Sequence, residues 1–531
     1  MSDGQSNYTI SENVSRSFGK DAQRNNILAA KIIANIVKTT LGPKGMDKML
    51  VDSTGNIIVT NDGVTILEEM EIDHPAAKMM VDIAKTQESE VGDGTTTAVL
   101  LAGKLLENAE RLLDKKIHPT VIIKGYRLAA QKALEILKNQ SVKIQDRNVL
   151  KNIAITAMTG KGAEGNKEHL AELIVNAVDQ VSNGQEVNSE DITLEKLKGE
   201  SISDSELVSG IVLQKERANA DMPLRVDNPK ILLVDFPIEL RNPDAEAKIS
   251  VSTPEQLENF IESEEIYLKN MTDKIIALGA KAIFCQKGID DVAQYYLAKS
   301  GIFACRRIPK SEMEKLARAT SGKVISTLRD LSLETLGSAE RVEEVKHGDE
   351  SFVYIRGCSN PRAVSLILRG GSSHVLDEIE RAITDGLGDV ISAIKSGTIV
   401  AGGGAIEIEL SKELNLFSRT LGGREQLAVQ EFSLALESIP ETLAENAGLD
   451  PLEVLTDLKK QHDIGLKFHG LNLFSDKIED TLQAGIIEPI KVKIQAITSA
   501  SEVATMILRI DDVLISKGSL QKAENHYSGM D

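Results

Sequence analysis

Two glycines, an aspartate and three threonines run together in Val91-Gly-Asp-Gly-Thr-Thr-Thr-Ala-Val-Leu-Leu-Ala-Gly-Lys104 and lead into an apolar-periodic segment. Gly92 and Gly94 allow backbone angles and a closeness of approach that a side chain forbids. Thr95, Thr96 and Thr97 open a predicted helix whose unpaired N–H groups attract an anion. A carboxylate repels phosphate, so Asp93 suits this setting when a hard cation such as Mg²⁺ bridges it to phosphate oxygens. The stretch reads as a cradle for a magnesium nucleotide. A ligand-free helix start capped by Asp and Thr has the same local sequence.

Four further stretches carry groups of the same kind. Thr39-Thr-Leu-Gly-Pro-Lys-Gly45 stops a helix at Gly42 and Pro43 and leaves backbone donors beside a lysine, which suits a phosphate or a simple stop. Asn61-Asp-Gly63 follows the short alternating run Asn56–Thr60 and on local grounds favours a hairpin turn. The other reading sets the Asp62 carboxylate at a strand end, where it orients a water. Lys161, in Thr159-Gly-Lys-Gly162, offers one ammonium on a loop, either solvated or reading a terminal phosphate. Gly397-Thr-Ile-Val-Ala-Gly-Gly-Gly-Ala405 places three glycines between an apolar strand and an apolar helix.

Positioning these groups takes more than one domain, and the chain's 531 residues are too many for a single core. Helices are expected over Asp21–Lys38, from Thr95 to about Leu137 with a restart at His118-Pro119, and over Val149–Gln180 with a break at 159–162. Apolar runs at 230–236, 281–285 and 301–305 alternate with helical segments and predict an α/β domain from about 216 to 364. Within it, Pro254–Met271 is a charged amphipathic segment carrying Leu257, Phe260, Ile261, Ile266, Tyr267 and Leu268, a pattern that fits either a packing face or a binding surface. Val364–Gly371 reads as a buried strand before a helix from about His374 to Ile394, which holds Asp385 and is weakened at Gly386 and Gly388 by roughly 1 kcal/mol each relative to Ala. The remainder to about Ile515 reads as helical, with Gly485–Pro489 as a turn, between a polar leader and a polar tail from Ser516 to Asp531.

Composition excludes several classes. A formal charge of −19 argues against nucleic acid as the main partner. Cys285, Cys305 and Cys358 are odd in number and lack CxxC spacing, so neither a disulfide framework nor a zinc site is expected. There is no apolar run of about 18 residues and no secretory leader, which predicts a cytoplasmic chain with no membrane partner. Aromatic residues make up 3% of the chain, with no Trp, too few for base-stacking platforms.

Taken together, Leu41-Gly-Pro-Lys-Gly-Met-Asp-Lys-Met49, Thr60-Asn-Asp-Gly-Val-Thr-Ile-Leu67, Gly92–Thr97, Gly402–Gly404 and Gly485-Ile-Ile-Glu-Pro489 resemble, in order and spacing, the ATP-binding motifs of the chaperonins. Phe284–Lys299 and Lys315–Thr320 resemble the apical motifs of the group II branch, the archaeal thermosome and its eukaryotic cytosolic relatives. The resemblance runs from about residue 9 to 515. It implies a multidomain α and α/β fold: a mostly helical equatorial ATPase domain over 1–146 and 401–531, a small α/β intermediate domain over 147–215 and 365–400, and an α/β apical client-binding domain with a helical protrusion over 216–364.

For the site, the resemblance implies ATP and Mg²⁺. Nucleotide contacts fall on Thr40, Leu41, Gly42, Pro43, Gly94, Thr95, Thr96, Thr97, Gly403, Asn472 and Glu488, and the metal ligand is Asp93. Asp62 and Asp385 match the carboxylates that position the attacking water, and Lys161 matches a nucleotide-sensing lysine. The implied partners are unfolded protein clients and copies or paralogues in two stacked rings of about eight or nine subunits, closed by the protrusion around Pro254–Met271 without a separate co-chaperonin lid. Asp385 departs from the family in being followed by Gly386 where Ala is usual. Asn242–Lys248 lacks the usual acidic, Thr-rich run, and the tail lacks Gly-Gly-Met repeats. Two other readings compete: a small-molecule kinase using the same Asp-Gly loops, and a mainly structural ring subunit with weak hydrolysis.

Overall fold

The computed structural model describes residues 14–51, 55–162, 164–182, 184, 186–240, 253–358 and 361–516. The polar leader, the tail beyond Ser516 and the Asn242–Lys248 departure lie outside them. The chain divides into two compact units, residues 1–145 with 396–531, and residues 146–395.

The first unit is a helical bundle. Helices Gly19–Lys38, Pro75–Val91, Thr95–Asp114, Pro119–Gln140, Glu425–Leu436 and Ile490–Leu508 bury one continuous core of Ala, Ile, Leu and Val side chains. Thr95–Asp114 runs through its centre, packed by Gly19–Lys38, Pro75–Val91, Glu425–Leu436 and Ile490–Leu508. That burial explains the unbroken apolar run Ala98–Gly103 after its first turn, while Lys104, Glu107, Glu110 and Arg111 mark its less buried side. Helix ends follow the sequence signals: Pro75 and Pro119 occupy the first turn, and His74 and His118 accept hydrogen bonds from the following backbone N–H groups.

Strands depart from the sequence expectation. Val14–Phe18 pairs antiparallel with Asp512–Ser516, so the two ends of the described chain share one ribbon, clamped by Arg16 on Asp512. The region from Ser418 onward is not purely helical. His469–Asn472 and Lys477–Asp480 form a hairpin, and Ile487–Pro489, expected within a turn, is a strand paired with Thr398–Ala401. These strands are short and polar or flank a proline, so no two-residue alternation marks them.

The second unit holds a parallel sheet in the order Phe303–Cys305, Ala282–Cys285, Lys230–Val234, Val324–Ile325, with Gly337–Ser338 added antiparallel. Helices Pro254–Ala277, Asp291–Lys299 and Lys310–Thr320 connect its strands. An antiparallel four-stranded sheet and a three-stranded sheet centred on Val364–Gly370 complete it with helices Arg147–Met158, Lys167–Val181 and Ser373–Ser396. Cys285, Cys305 and Cys358 are buried free thiols, and burial pushes Cys285 and Cys358 up to about 12.

The Pro254–Ala277 helix is divided along its length. Leu268, Met271 and Ile275 are buried, Met271 and Ile275 in one core with the sheet's side chains, whereas Phe260, Ile266 and Tyr267 are exposed at 37%, 51% and 44%. Packing therefore accounts for its C-terminal half only. The side chains of Leu257 and Ile261 lie outside the described set.

Candidate active site

The first unit gathers five of the motifs into one continuous set of contacts. Gly92 and Gly94 both have left-handed backbones, with φ of 88° and 80°, so Asp93 stands at the top of a tight double turn. Gln87 fixes that turn from inside the core: its amide donates to the Asp93 carbonyl at 2.8 Å and to the Val492 carbonyl at 3.2 Å. A Cβ on Gly94 would lie 2.7 Å from Val492, so only glycine seats the loop there. No side chain caps Thr95–Asp114, unlike the helices headed by Asp62, Asp146 and Asp450. Its first-turn amides are left for an anion.

Asn61-Asp-Gly63 is not a hairpin turn. The strand Ile57–Thr60 ends there, and Asp62 caps the short helix Gly63–Glu68. Its Oδ2 accepts from the Thr65 N–H at 2.9 Å and from the Thr65 hydroxyl at 2.7 Å. Among the described residues its Oδ1 takes two long contacts, 3.4 Å from the Val64 nitrogen and 3.5 Å from the Thr95 hydroxyl. Gly63 presses against the Thr95–Thr96 turn, where a Cβ would lie 2.7 Å from the Thr96 hydroxyl. Residues thirty apart in sequence thus bring a carboxylate oxygen to the open end of the central helix. Burial, then Asp62 and Glu68, raise the neighbouring Glu88 carboxyl, a mark of concentrated negative charge.

The third side comes from the chain's last third. Gly403 and Gly404 are left-handed, and Gly403 accepts from the Leu471 N–H at 2.8 Å. Glu488 pairs in register with Val400 and lies beside Gly402, whose added Cβ would be 3.1 Å from Glu488 Oε1. Glu488 also senses the charge of Asp93. The Gly42 loop closes the set: a Cβ on Gly42 would meet Leu443 and Leu473, and Asn446 ties the Lys38 and Leu41 carbonyls at 3.0 and 2.9 Å.

Two residues are used locally. Thr40 turns its hydroxyl back to the Val37 carbonyl, and Asn472 commits both ends of its amide to Glu479 and the Phe474 N–H within the 469–480 hairpin. That hairpin is anchored by a buried pair, His462 Nδ1 at 2.8 Å from Glu409 Oε2, with His462 Nε2 2.8 Å from the His469 carbonyl. Burial works to raise the Glu409 carboxyl, but His462, Lys412 and Lys467 together hold it below the usual range. A depressed carboxylate contributes stability above its unfolded value near about pH 4 and loses it as pH falls through the folded value. We expect Glu409→Gln to melt lower than the natural chain at pH 7 and the gap to narrow below about pH 4; a gap independent of pH would contradict this account.

In the second unit, Lys161 and Asp385 form an ion pair, with side chains 16% and 14% exposed. Lys161 is therefore not a solvated loop lysine. Gly386 packs under Ile174, where a Cβ would lie 2.9 Å from its terminal carbon, so glycine here serves close helix contact.

Among the described residues, no group of three or more His, Cys, Asp or Glu side chains could hold a metal by itself. Asp93 supplies one carboxylate, the kind of oxygen that Mg²⁺ takes together with substrate phosphates, and the uncapped N–H groups beside it suit the phosphate and not the cation.

The match to known proteins decides the family. A family model described as the TCP-1/cpn60 chaperonin family covers residues 33–518. The chain belongs to this family. It is 56% identical over 521 residues to a thermosome subunit beta of Archaeoglobus fulgidus, covering 97% of this chain and 96% of that one. It is 53% identical over 521 residues to a thermosome subunit of Methanopyrus kandleri, at 97% and 96% coverage, and 52% identical over 532 residues to one of Pyrococcus horikoshii, at 99% and 97%. The chain is a group II chaperonin subunit with the multidomain α and α/β fold of that family, and its function is ATP-dependent chaperoning.

Gln87 fixes the Asp93 turn, and Lys493 stands between Glu407 and Glu488, yet the sequence reading singles out none of Gln87, Glu407 and Lys493. Glu407 left a signal there: Ile406-Glu-Ile-Glu-Leu410 sets two carboxylates into the apolar start of a helix. Gln87 left none.

Proposed function

We propose that the chain hydrolyses ATP with Mg²⁺ as one subunit of two stacked rings of about eight or nine identical or paralogous copies, enclosing unfolded proteins in the cytoplasm. The observation that carries this is the convergence of Gly42, Asp62, Asp93 to Thr97, Gly403 and Glu488 in one unit. We place the ATPase domain on 1–146 and 401–531, the intermediate domain on 147–215 and 365–400, and the client-binding domain on 216–364.

The amides of Thr95, Thr96 and Thr97 hold the phosphates against the turn of Thr40, Leu41, Gly42 and Pro43, where Thr40 and Leu41 spend their own N–H groups on the Val37 and Lys38 carbonyls, and Gly403, Glu488 and the backbone near Asn472 take the nucleoside. When bound, Mg²⁺ is held by Asp93 and neutralises charge building on the phosphates. Asp62 Oδ1, the oxygen with the two long contacts, accepts a proton from the attacking water. Asp385 is the second carboxylate for that water, and Lys161 exchanges its Asp385 partner for the terminal phosphate. The exposed Phe260, Ile266 and Tyr267 form part of a built-in lid that replaces a separate co-chaperonin.

Assembly has its own support. The two-stranded ribbons Val14–Phe18 with Asp512–Ser516 and Lys48–Val51 with Ile57–Thr60 are too small to be stable alone, and they expose Phe18, Leu514, Met49, Val51, Ile57 and Val59. Pairing between copies would cover both. Light scattering after size exclusion should give a particle near about a megadalton, and Met49→Lys with Val51→Lys should reduce it to small species. A natural chain that elutes as a monomer or dimer, with ATPase needing an added acceptor, would favour the kinase reading instead.

A further inference from the structure

Behind Glu488 lies a charge cluster that phosphate binding alone does not explain. The helix Ala405–Ser418 buries Glu407 at 3% exposure, and Ile490–Leu508 buries Lys493 at 6%. Lys493 Nζ stands 2.8 Å from Glu407 Oε1 and 2.8 Å from Glu488 Oε2. Glu407 Oε2 is buried without a hydrogen-bond partner among the described residues. Two carboxylates against one ammonium leave a surplus negative charge where water is scarce, and well-packed apolar residues would serve stability as well or better.

The geometry around Glu488 gives the cluster a use. Lys493 takes Oε2, while Oε1 lies beside Gly402, where a Cβ would come within 3.1 Å of it. We propose that Lys493, backed by Glu407, is a positioning residue of the nucleotide site: it pins one oxygen of Glu488 so that the other receives the ribose hydroxyls. This rests on reading Glu488 as a nucleoside contact. Burial raises the Glu488 carboxyl, Lys493 opposes that rise, and Glu407 and Asp93 add to it. Without the ammonium, two close carboxylates repel, one takes up a proton, and Glu488 loses its fixed direction.

The test compares Kd and kcat for ATP and 2′-deoxy-ATP in the assembled natural protein, in Lys493→Met with Glu407→Met, in Glu407→Gln and in Glu488→Gln. The natural protein should bind ATP more tightly than 2′-deoxy-ATP. The double variant removes the buried Lys493–Glu407 pair together and leaves Glu488 as the one charge of the cluster, without its ammonium. It should bind ATP about tenfold more weakly, with kcat within about threefold and the preference for the 2′-hydroxyl near one. A folded double variant with natural affinity and natural preference overturns the proposal. If the double variant does not assemble, Lys493→Gln with Glu407→Gln decides: a lowered 2′-hydroxyl preference supports the proposal and an unchanged one overturns it, while Glu407→Gln alone leaves Lys493 on Glu488 and should keep the natural preference. Glu488→Gln separates the two readings. Unchanged preference there removes Glu488 from the ribose and the proposal with it, whereas preference lost in Glu488→Gln but kept in the double variant defeats Lys493 alone.

Discussion

Asp62→Asn should stop ATP turnover while leaving ATP bound. The substitution keeps the side chain's shape and a carbonyl oxygen to cap the Gly63–Glu68 helix, so the fold around it should persist. It removes the negative charge that makes Oδ1 a proton acceptor. General-base removal costs about 10²–10⁴ in rate, and we expect kcat to fall by at least about a hundredfold with Kd for ATP changed less than about threefold. Asp62→Ala should be equally inactive and less stable by about 1 kcal/mol, because the cap is lost too. That pairing separates chemistry from structure. An Asp62→Asn protein with natural turnover would remove Asp62 from the reaction.

Asp385 gives the companion result. Asp385→Ala should retain ATP and lose turnover to a similar extent, but its cause differs, since this carboxylate is held by Lys161 in the other unit. Lys161→Met should therefore not copy it. Loss of the lysine leaves Asp385 with its charge, and the expected change is in how strongly ATP binding and hydrolysis are coupled. Near-natural hydrolysis in Asp385→Ala would end the assignment of that carboxylate.

What could be read from the sequence, and what could not, follows from how far each residue acts. Glycine-acid-hydroxyl clusters such as Gly92–Thr97 act locally, and their turn geometry and open helix start were legible because backbone rules fix them. Long periodic helices were legible for the same reason: Gly19–Lys38, Thr95–Asp114 and Ser373–Ser396 match their sequence patterns to within a few residues. Asn61-Asp-Gly63 misled because a hairpin turn and a helix cap share those residues, and only the Thr95–Thr96 turn lying against Gly63 selects the cap. The helix Pro75–Val91 went unread although Pro75 announces it. The terminal ribbon was illegible, because Val14–Phe18 finds its partner almost five hundred residues away. Partnerships such as Lys493 with Glu407 and His462 with Glu409 are likewise set by tertiary packing, and a single sequence shows only that charges stand in apolar helices.

Asp93→Ala should weaken Mg²⁺-dependent nucleotide binding more than any other single change in this site. The carboxylate stands between two left-handed glycines, and its carbonyl is held by Gln87, so its direction is set by backbone rather than by side-chain packing. Alanine fits the same backbone and should leave the loop in place. With Mg²⁺ present, we expect affinity for ATP to drop by at least about tenfold, the scale of losing a partner to a charged group. Without Mg²⁺ the sign reverses. A bare triphosphate against Asp93 meets like charge, so removing the carboxylate should leave metal-free ATP binding unchanged or stronger. Calorimetric titration of ATP into both proteins, with Mg²⁺ and with chelator, reads this crossing directly. If Asp93→Ala weakens binding equally in both conditions, the residue holds the loop and not the cation, and Mg²⁺ must be sought among other oxygens. If the crossing appears, the helix amides hold phosphate by themselves and Asp93 supplies what they cannot, a fixed negative charge for the cation that phosphate brings with it.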